Sequence, residues 1–186
     1  MKQTIIAYLK DEPGVLNQIS RLFYRLNYNI ESITAGKSEV RGITRVTIVC
    51  NHTDHYNQSL IIENLIELDC VSEVKDITKV PSVIREYALL KVKSEPDDFI
   101  ALTKLIESSG SKIIDNSDSI YIVEATGDVK EVRNLIKKLK KFNIMEIMRS
   151  GKMAMVESGQ DEHRVDLEEI SGEKSWATQQ ISDALF

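Results

Sequence analysis

The chain has 186 residues, of which 42% are hydrophobic and 28% charged, with a net charge of −5. This is ordinary globular composition with room for one large or two small domains. Residues 157–186 hold eight acids against Arg164 and Lys174, a net −6, which leaves the body near +1. A near-neutral body with an acidic tail lacks the basic footprint of a nucleic-acid binder. Apolar stretches are strand-sized, and residues 1–9 are too soon interrupted by Lys10, Asp11 and Glu12 to be a signal peptide, so no membrane segment is expected and the location reads as cytoplasmic. Cys50 and Cys70 are too few for a disulfide framework and fall in or at the end of apolar runs, which predicts buried free thiols.

Residues 3–9 read as a strand. It turns into a helix through Asp11-Glu12-Pro13-Gly14-Val15-Leu16, where Pro13 is predicted at the first helical position and Gly14 leaves the following amides open. From Val15 the apolar period becomes helical, through Leu16, Ile19, Leu22, Phe23 and Leu26. Strands over 30–35 and 43–50 flank a polar turn at 36–42 as a hairpin. A second helix, capped by Thr53 or Asp54, carries Leu60, Ile61, Leu65 and Leu68, and a strand over 71–77 completes β-α-β-β-α-β.

Pro81 marks a linker at 79–84, after which the order repeats. A strand over 87–92 leads to a helix over 96–108 with Phe99, Leu102, Leu105 and Ile106 inward. Strands over 112–115 and 120–125 follow, joined by a turn at 116–118. A helix after Gly127 carries Val129, Val132, Leu135, Ile136 and Leu139, and the last strand covers 144–148. The prediction is α+β: two tandem ferredoxin-like domains, 1–78 and 85–156, each a four-stranded antiparallel sheet with both helices on one face. Edge strands and the bare sheet face are most simply covered by a second copy, so a homodimer is expected. Residues 157–186 read as a mobile acidic tail in which Trp176, Ala177, Ile181, Ala184 and Leu185 could form a short amphipathic helix.

Cys50, His52, Asp54 and His55 are metal-ligand types in a short span, but a strand end and a helix cap do not converge on one ion, so no metal site is expected. Lys137, Lys138, Lys140 and Lys141 lie opposite Leu135, Ile136 and Leu139 without interleaved aromatic residues, which reads as a solvated face. No nucleophile elbow, phosphate loop or dinucleotide glycine pattern is present, and no catalytic residue is expected. The turn at Gly14 offers free amides at a positive helix end beside the carboxylate of Asp11. That pairing matches a zwitterion, with a ligand carboxylate on the amides and its ammonium near Asp11, as in an amino acid.

Asp11-Glu12-Pro13-Gly14-Val15-Leu16 resembles the D-x-P-G-x-L signature of ACT domains, small ferredoxin-like modules that sense amino acids. Tyr28-Asn29-Ile30-Glu31-Ser32-Ile33 with Thr44-Arg45-Val46-Thr47-Ile48 resembles more specifically the small, regulatory subunit of acetohydroxyacid synthase (acetolactate synthase). Leu89-Leu90-Lys91-Val92, Ile113-Ile114-Asp115, and Glu146 with Arg149-Ser150-Gly151 and Ala154 are similar to that family's C-terminal domain. The resemblance, over residues 2–156, implies a non-catalytic subunit that activates a large catalytic partner and confers feedback inhibition by a branched-chain amino acid, by analogy valine. Thiamine diphosphate, Mg and FAD are expected on that partner and none on this chain. The family's effector positions map onto Asp11, Gly14, Val15 and Leu16 of one protomer and Asn29 and Ile30 of the other. Asp11 stands where some members have Asn, and Glu157 where an arginine is frequent. The alternative is an ACT-domain regulator of another partner; a DNA-reading one would want a helix-turn-helix or a basic surface.

Overall fold

The computed structural model describes residues 2–51 and 58–159; the cap at Thr53 or Asp54, the ligand types His52, Asp54 and His55, and the tail from residue 160 with Trp176 lie outside them. The described residues divide into two units, one of residues 2–83 with 154–159 and one of Ile84–Met153.

In the first unit β1 (Lys2–Lys10) is the central strand, antiparallel to β3 (Ile43–Asn51) on one side and to β4 (Val71–Asp76) on the other; β2 (Asn29–Lys37) is the edge beyond β3. Period-two alternation sends Ile5, Ala7 and Leu9 of β1 and Val46, Ile48 and Cys50 of β3 to one face. There they meet Val15, Ile19, Leu22 and Phe23 of α1 (Val15–Arg25) and Ile61 and Leu65 of α2 (Gln58–Ile66). Each large apolar side chain buried here contributes about 1.5–3 kcal/mol.

The second unit repeats the plan. Its sheet runs in the order β6 (Lys112–Ser117), β7 (Ile120–Gly127), β5 (Ser82–Lys93), β8 (Asn143–Arg149), all antiparallel; β9 (Met153–Val156), all but its first residue in the first unit, pairs with β5, whose first two residues belong to that unit too. Ala88, Leu90, Val92, Val123 and Ala125 pack on Leu102 and Ile106 of α3 (Phe99–Ser108) and on Val132, Leu135 and Leu139 of α4 (Val129–Leu139). Glu86 is almost fully buried, yet its carboxylate accepts from Arg149 Nε at 2.7 Å and Nη2 at 2.5 Å. Ser150 Oγ accepts from the Tyr87 amide at 3.0 Å. The Arg149-Ser150-Gly151 element thus ties the end of β8 to β5.

The two β-α-β-β-α-β units are as the periodicity predicts, and Cys50 and Cys70 are buried free thiols. Burial, reinforced by the Asp76 carboxylate, pushes the Cys50 thiol up to about 11. Several local expectations are corrected. Leu60 is 37% exposed, since Ile61 and Leu65 already fill the face of α2 that meets the sheet. Phe99 is 40% exposed because it opens α3 after a 3₁₀ turn at Pro96–Asp98 and stacks on Tyr121, ring centres 5.3 Å apart, instead of entering the core. The β6–β7 turn falls at Asp118 and Ser119, both left-handed, because Ser117 and Ile120 are still paired. β5 starts at Ser82 rather than 87, and β9 was not predicted; its four residues are too short to show a period.

A cap also escaped the sequence reading. Asp128 Oδ1 accepts from the amides of Lys130 and Glu131 at 2.7 and 2.8 Å, and Glu131 Oε2 accepts from the Asp128 amide at 2.7 Å, a reciprocal box at the start of α4. The Glu131 amide, with that of Lys130, holds the Asp128 carboxyl below its ordinary range. A carboxyl held low in the folded state stabilises above its unfolded pKa, and the contribution disappears as pH falls through the folded value. Asp128→Ala should therefore lower Tm by about 2–4 °C at neutral pH. The gap from the unsubstituted chain should close as pH falls well below about 4 in a calorimetric series.

Candidate functional site

The site is built where β1 delivers the chain into α1. β1 ends at Lys10, the Asp11 amide donates to Gly42 O at 2.8 Å, and the Glu12 amide to Lys10 O at 2.9 Å. The reversal is completed at Gly14, whose φ of +88° lies in the left-handed region that L-residues avoid. Gly14 is the N-cap and Val15 the first helical residue, so Pro13 sits in the turn and not at the first helical position; a left-handed residue must intervene before helical angles begin. The Gly14 carbonyl accepts from the amides of Asn17 and Gln18 at 3.0 and 3.1 Å. Among the described residues the amides of Gly14 and Leu16 donate to no group, and that of Val15 reaches Glu12 O at 3.5 Å. Three N–H groups thus gather at the positive end of α1, suited to an anionic oxygen.

A cleft of about 360 Å³ opens over this turn, lined by the segment from Leu9 to Glu12, by Gly14 to Asn17, and by Thr44. Its size falls in the small-molecule range of about 300–1,000 Å³. The expected residues Asp11, Gly14, Val15 and Leu16 all line it. Thr44, which was not expected, donates from Oγ1 to Asp11 Oδ1 at 3.1 Å and fixes the carboxylate at the rim. The hairpin pattern carried the signal: Leu9 pairs with Thr44, so any ligand beside Leu9 and Lys10 also meets the start of β3. Leu16 is 49% exposed, leaving apolar surface beside the open amides.

Asn29 and Ile30 do not line this cleft. Asn29 is exposed and pairs with Asn51, whereas Lys37 at the other end of β2 pairs with Thr44. Within one chain the two halves of the expected site are thus separated by the length of β2, about 26 Å.

Residues 85–158 match the family described as the small subunit of acetolactate synthase, and residues 5–73 match the ACT domain of acetohydroxyacid synthase small subunits. A probable acetolactate synthase small subunit of Archaeoglobus fulgidus is 35% identical over 158 residues, covering 84% of this chain and 97% of the relative. This chain belongs to the acetolactate synthase small-subunit family. The crystal structure of the small subunit from Thermotoga maritima superposes with a TM-score of 0.80 at 32% identity, covering 86% of this chain and 99% of that one. A chloroplastic small subunit 2 of Arabidopsis thaliana is 36% identical over 154 residues, which are 83% of this chain but 32% of the plant protein. Membership of the small-subunit family gives the chain a regulatory role toward an acetolactate synthase catalytic subunit.

At Gly14 an added Cβ would meet nothing within 4 Å, so the backbone alone opposes a side chain there. Gly14→Ala should cost about 1–2 kcal/mol, the penalty of a left-handed L-residue, measured by denaturant unfolding. A change near zero would show that the turn relaxes to ordinary angles.

Proposed function

We propose that this chain is a non-catalytic subunit that activates the acetolactate synthase catalytic subunit and makes it sensitive to feedback by a branched-chain amino acid, with valine the leading candidate. The observation that carries the reading is the left-handed Gly14 beside a fixed Asp11 carboxylate: open amides take the ligand carboxylate, Asp11 takes the ammonium, and Val15 and Leu16 meet an aliphatic side chain. Thiamine diphosphate, Mg and FAD belong on the catalytic partner in this reading.

The register of β2 supports a homodimer with a shared site. β2 is an edge of its sheet, where a second copy can add a strand. Two such edges joined antiparallel about a two-fold axis set the start of one β2 against the end of the other, the end whose Lys37 pairs with Thr44. Asn29 and Ile30 of one protomer then approach the cleft of the second. Each ligand is held by Asp11, Gly14, Val15 and Leu16 from one copy and by Asn29 and Ile30 from the other, and binding strengthens the joint.

Gly14→Asp places a carboxylate where the ligand's own would lie. Aspartate is among the few residues that visit left-handed angles, so the turn should survive. Gly14→Asp, and separately Asn29→His, should abolish inhibition by branched-chain amino acids in the reconstituted complex while activation persists. Synthase activity over an effector titration, beside a circular-dichroism melt of each variant, provides the check. Full inhibition in both folded variants would place the effector elsewhere, and joint loss of activation would make the turn part of the contact with the catalytic subunit.

A further inference from the structure

The buried stripe of α1, Val15, Ile19, Leu22 and Phe23, runs between two exposed flanks of the helix. Leu16 on one flank belongs to the cleft, whereas Arg25 stands about 180° around the helix from it, on the flank that also carries Gln18 and Arg21. That second flank borders a groove of about 230 Å³, lined by Gln18, Arg21, Leu22, Arg25 and, from beyond α2, Leu68. The volume falls below the range of about 300–1,000 Å³ that takes a whole small molecule, so the groove suits single side chains of a larger partner. Arg21 and Arg25 are the only charged residues of α1, and among the described residues neither is in an ion pair. Asn64 steadies one of them: its Nδ2 donates to Leu60 O at 2.8 Å and its Oδ1 accepts from Arg25 Nη2 at 3.3 Å. The rest of that guanidinium fork meets no other acceptor among the described residues. Tyr24, a neighbour of Arg21 one turn on, is 87% exposed, more than any other large apolar side chain among the described residues. Arginine and tyrosine around an apolar floor are the residues in which binding energy concentrates at protein interfaces.

The effector cleft and the β2 edge leave this flank unassigned, and a regulatory role toward a catalytic subunit requires a surface on which that subunit sits. We propose that the groove along α1 is a docking site for an acidic segment of the acetolactate synthase catalytic subunit, whose carboxylates pair with Arg21 and Arg25 while an apolar side chain between them rests on Leu22 and Leu68. This site presupposes the activating role proposed above and gives it a place on the chain. Two guanidiniums on a helix without acids call for carboxylates, and bidentate pairing fixes the register of the segment as well as its charge. A nucleic acid would want a wider basic field than two arginines. Because the groove and the cleft lie on opposite flanks of one helix, both can be occupied at once.

Sedimentation of the full chain with the purified catalytic subunit, beside synthase activity in the same mixtures, tests this. The double variant Arg21→Glu, Arg25→Glu should bind the catalytic subunit at least about tenfold more weakly, with the concentration for half-activation rising in step. Association of the unsubstituted chain should weaken about fivefold between about 0.05 and 0.5 M salt. A circular-dichroism melt confirms that the double variant is folded. As a second readout, Tyr24→p-benzoylphenylalanine should photo-crosslink to an acidic segment of the catalytic subunit, located by peptide mass spectrometry. Unchanged binding by the folded double variant, a crosslink to a segment without acids, or loss of self-association in place of catalytic-subunit binding would each overturn the docking site. An unsubstituted chain that neither binds nor activates the catalytic subunit would instead overturn the activating role, and the docking site with it.

Discussion

The turn from β1 into α1 rests on one backbone angle. With φ at +88°, Gly14 reverses the chain within a few residues of the strand end, which lets α1 lie back over the face of the strand that delivered it. A longer loop could make the same connection, but it would not leave three N–H groups gathered at the start of a helix beside Leu9 and Thr44. The core and the cleft therefore share an origin. Val15, the residue after the glycine, is both the first buried side chain of α1 and part of the cleft wall.

Much of this was legible in the sequence because the two periods are clean. Ile5, Ala7 and Leu9 alternate, Ile19, Leu22 and Phe23 recur at helical spacing, and the second half repeats the order, so element types and topology follow from burial alone. The misses are places where local geometry or neighbours override pattern. Pro13 fits a helix start, but the turn needs a left-handed residue and Gly14 supplies it one position later. Leu60 and Phe99 have the right chemistry for the core, yet each sits at an element start where nearby side chains already fill the interior. Thr44 and the Asp128–Glu131 box are polar contacts fixed by strand pairing and side-chain reach, which spacing does not reveal.

The repeat has been put to different uses in the two units. The first exposes an edge strand and a cleft at its helix start, and its loop carries Asp11. In the second, the corresponding helix starts after a 3₁₀ turn at Pro96–Asp98, and Asp97 and Asp98 put negative charge near its positive end. A carboxylate ligand has no comparable place there. The second unit instead secures the end of β8 to β5 through the buried Glu86 carboxylate and Ser150. One topology thus supports a module with an open cleft and a tied-down one, and the difference lies in a few residues at a strand-to-helix turn.

The proposed ligand site is a property of two chains, since the cleft and Asn29 stand at opposite ends of β2. Mixing the Gly14→Asp and Asn29→His chains tests that directly. In a mixed dimer one site carries both lesions, and the other combines an intact Gly14 with an intact Asn29. The measurement is inhibition of the catalytic subunit by valine after subunit exchange between the two variants. A shared site requires partial inhibition to return in the mixture though it is absent from either variant alone; a mixture as insensitive as its parents, with exchange confirmed, would rule a shared site out.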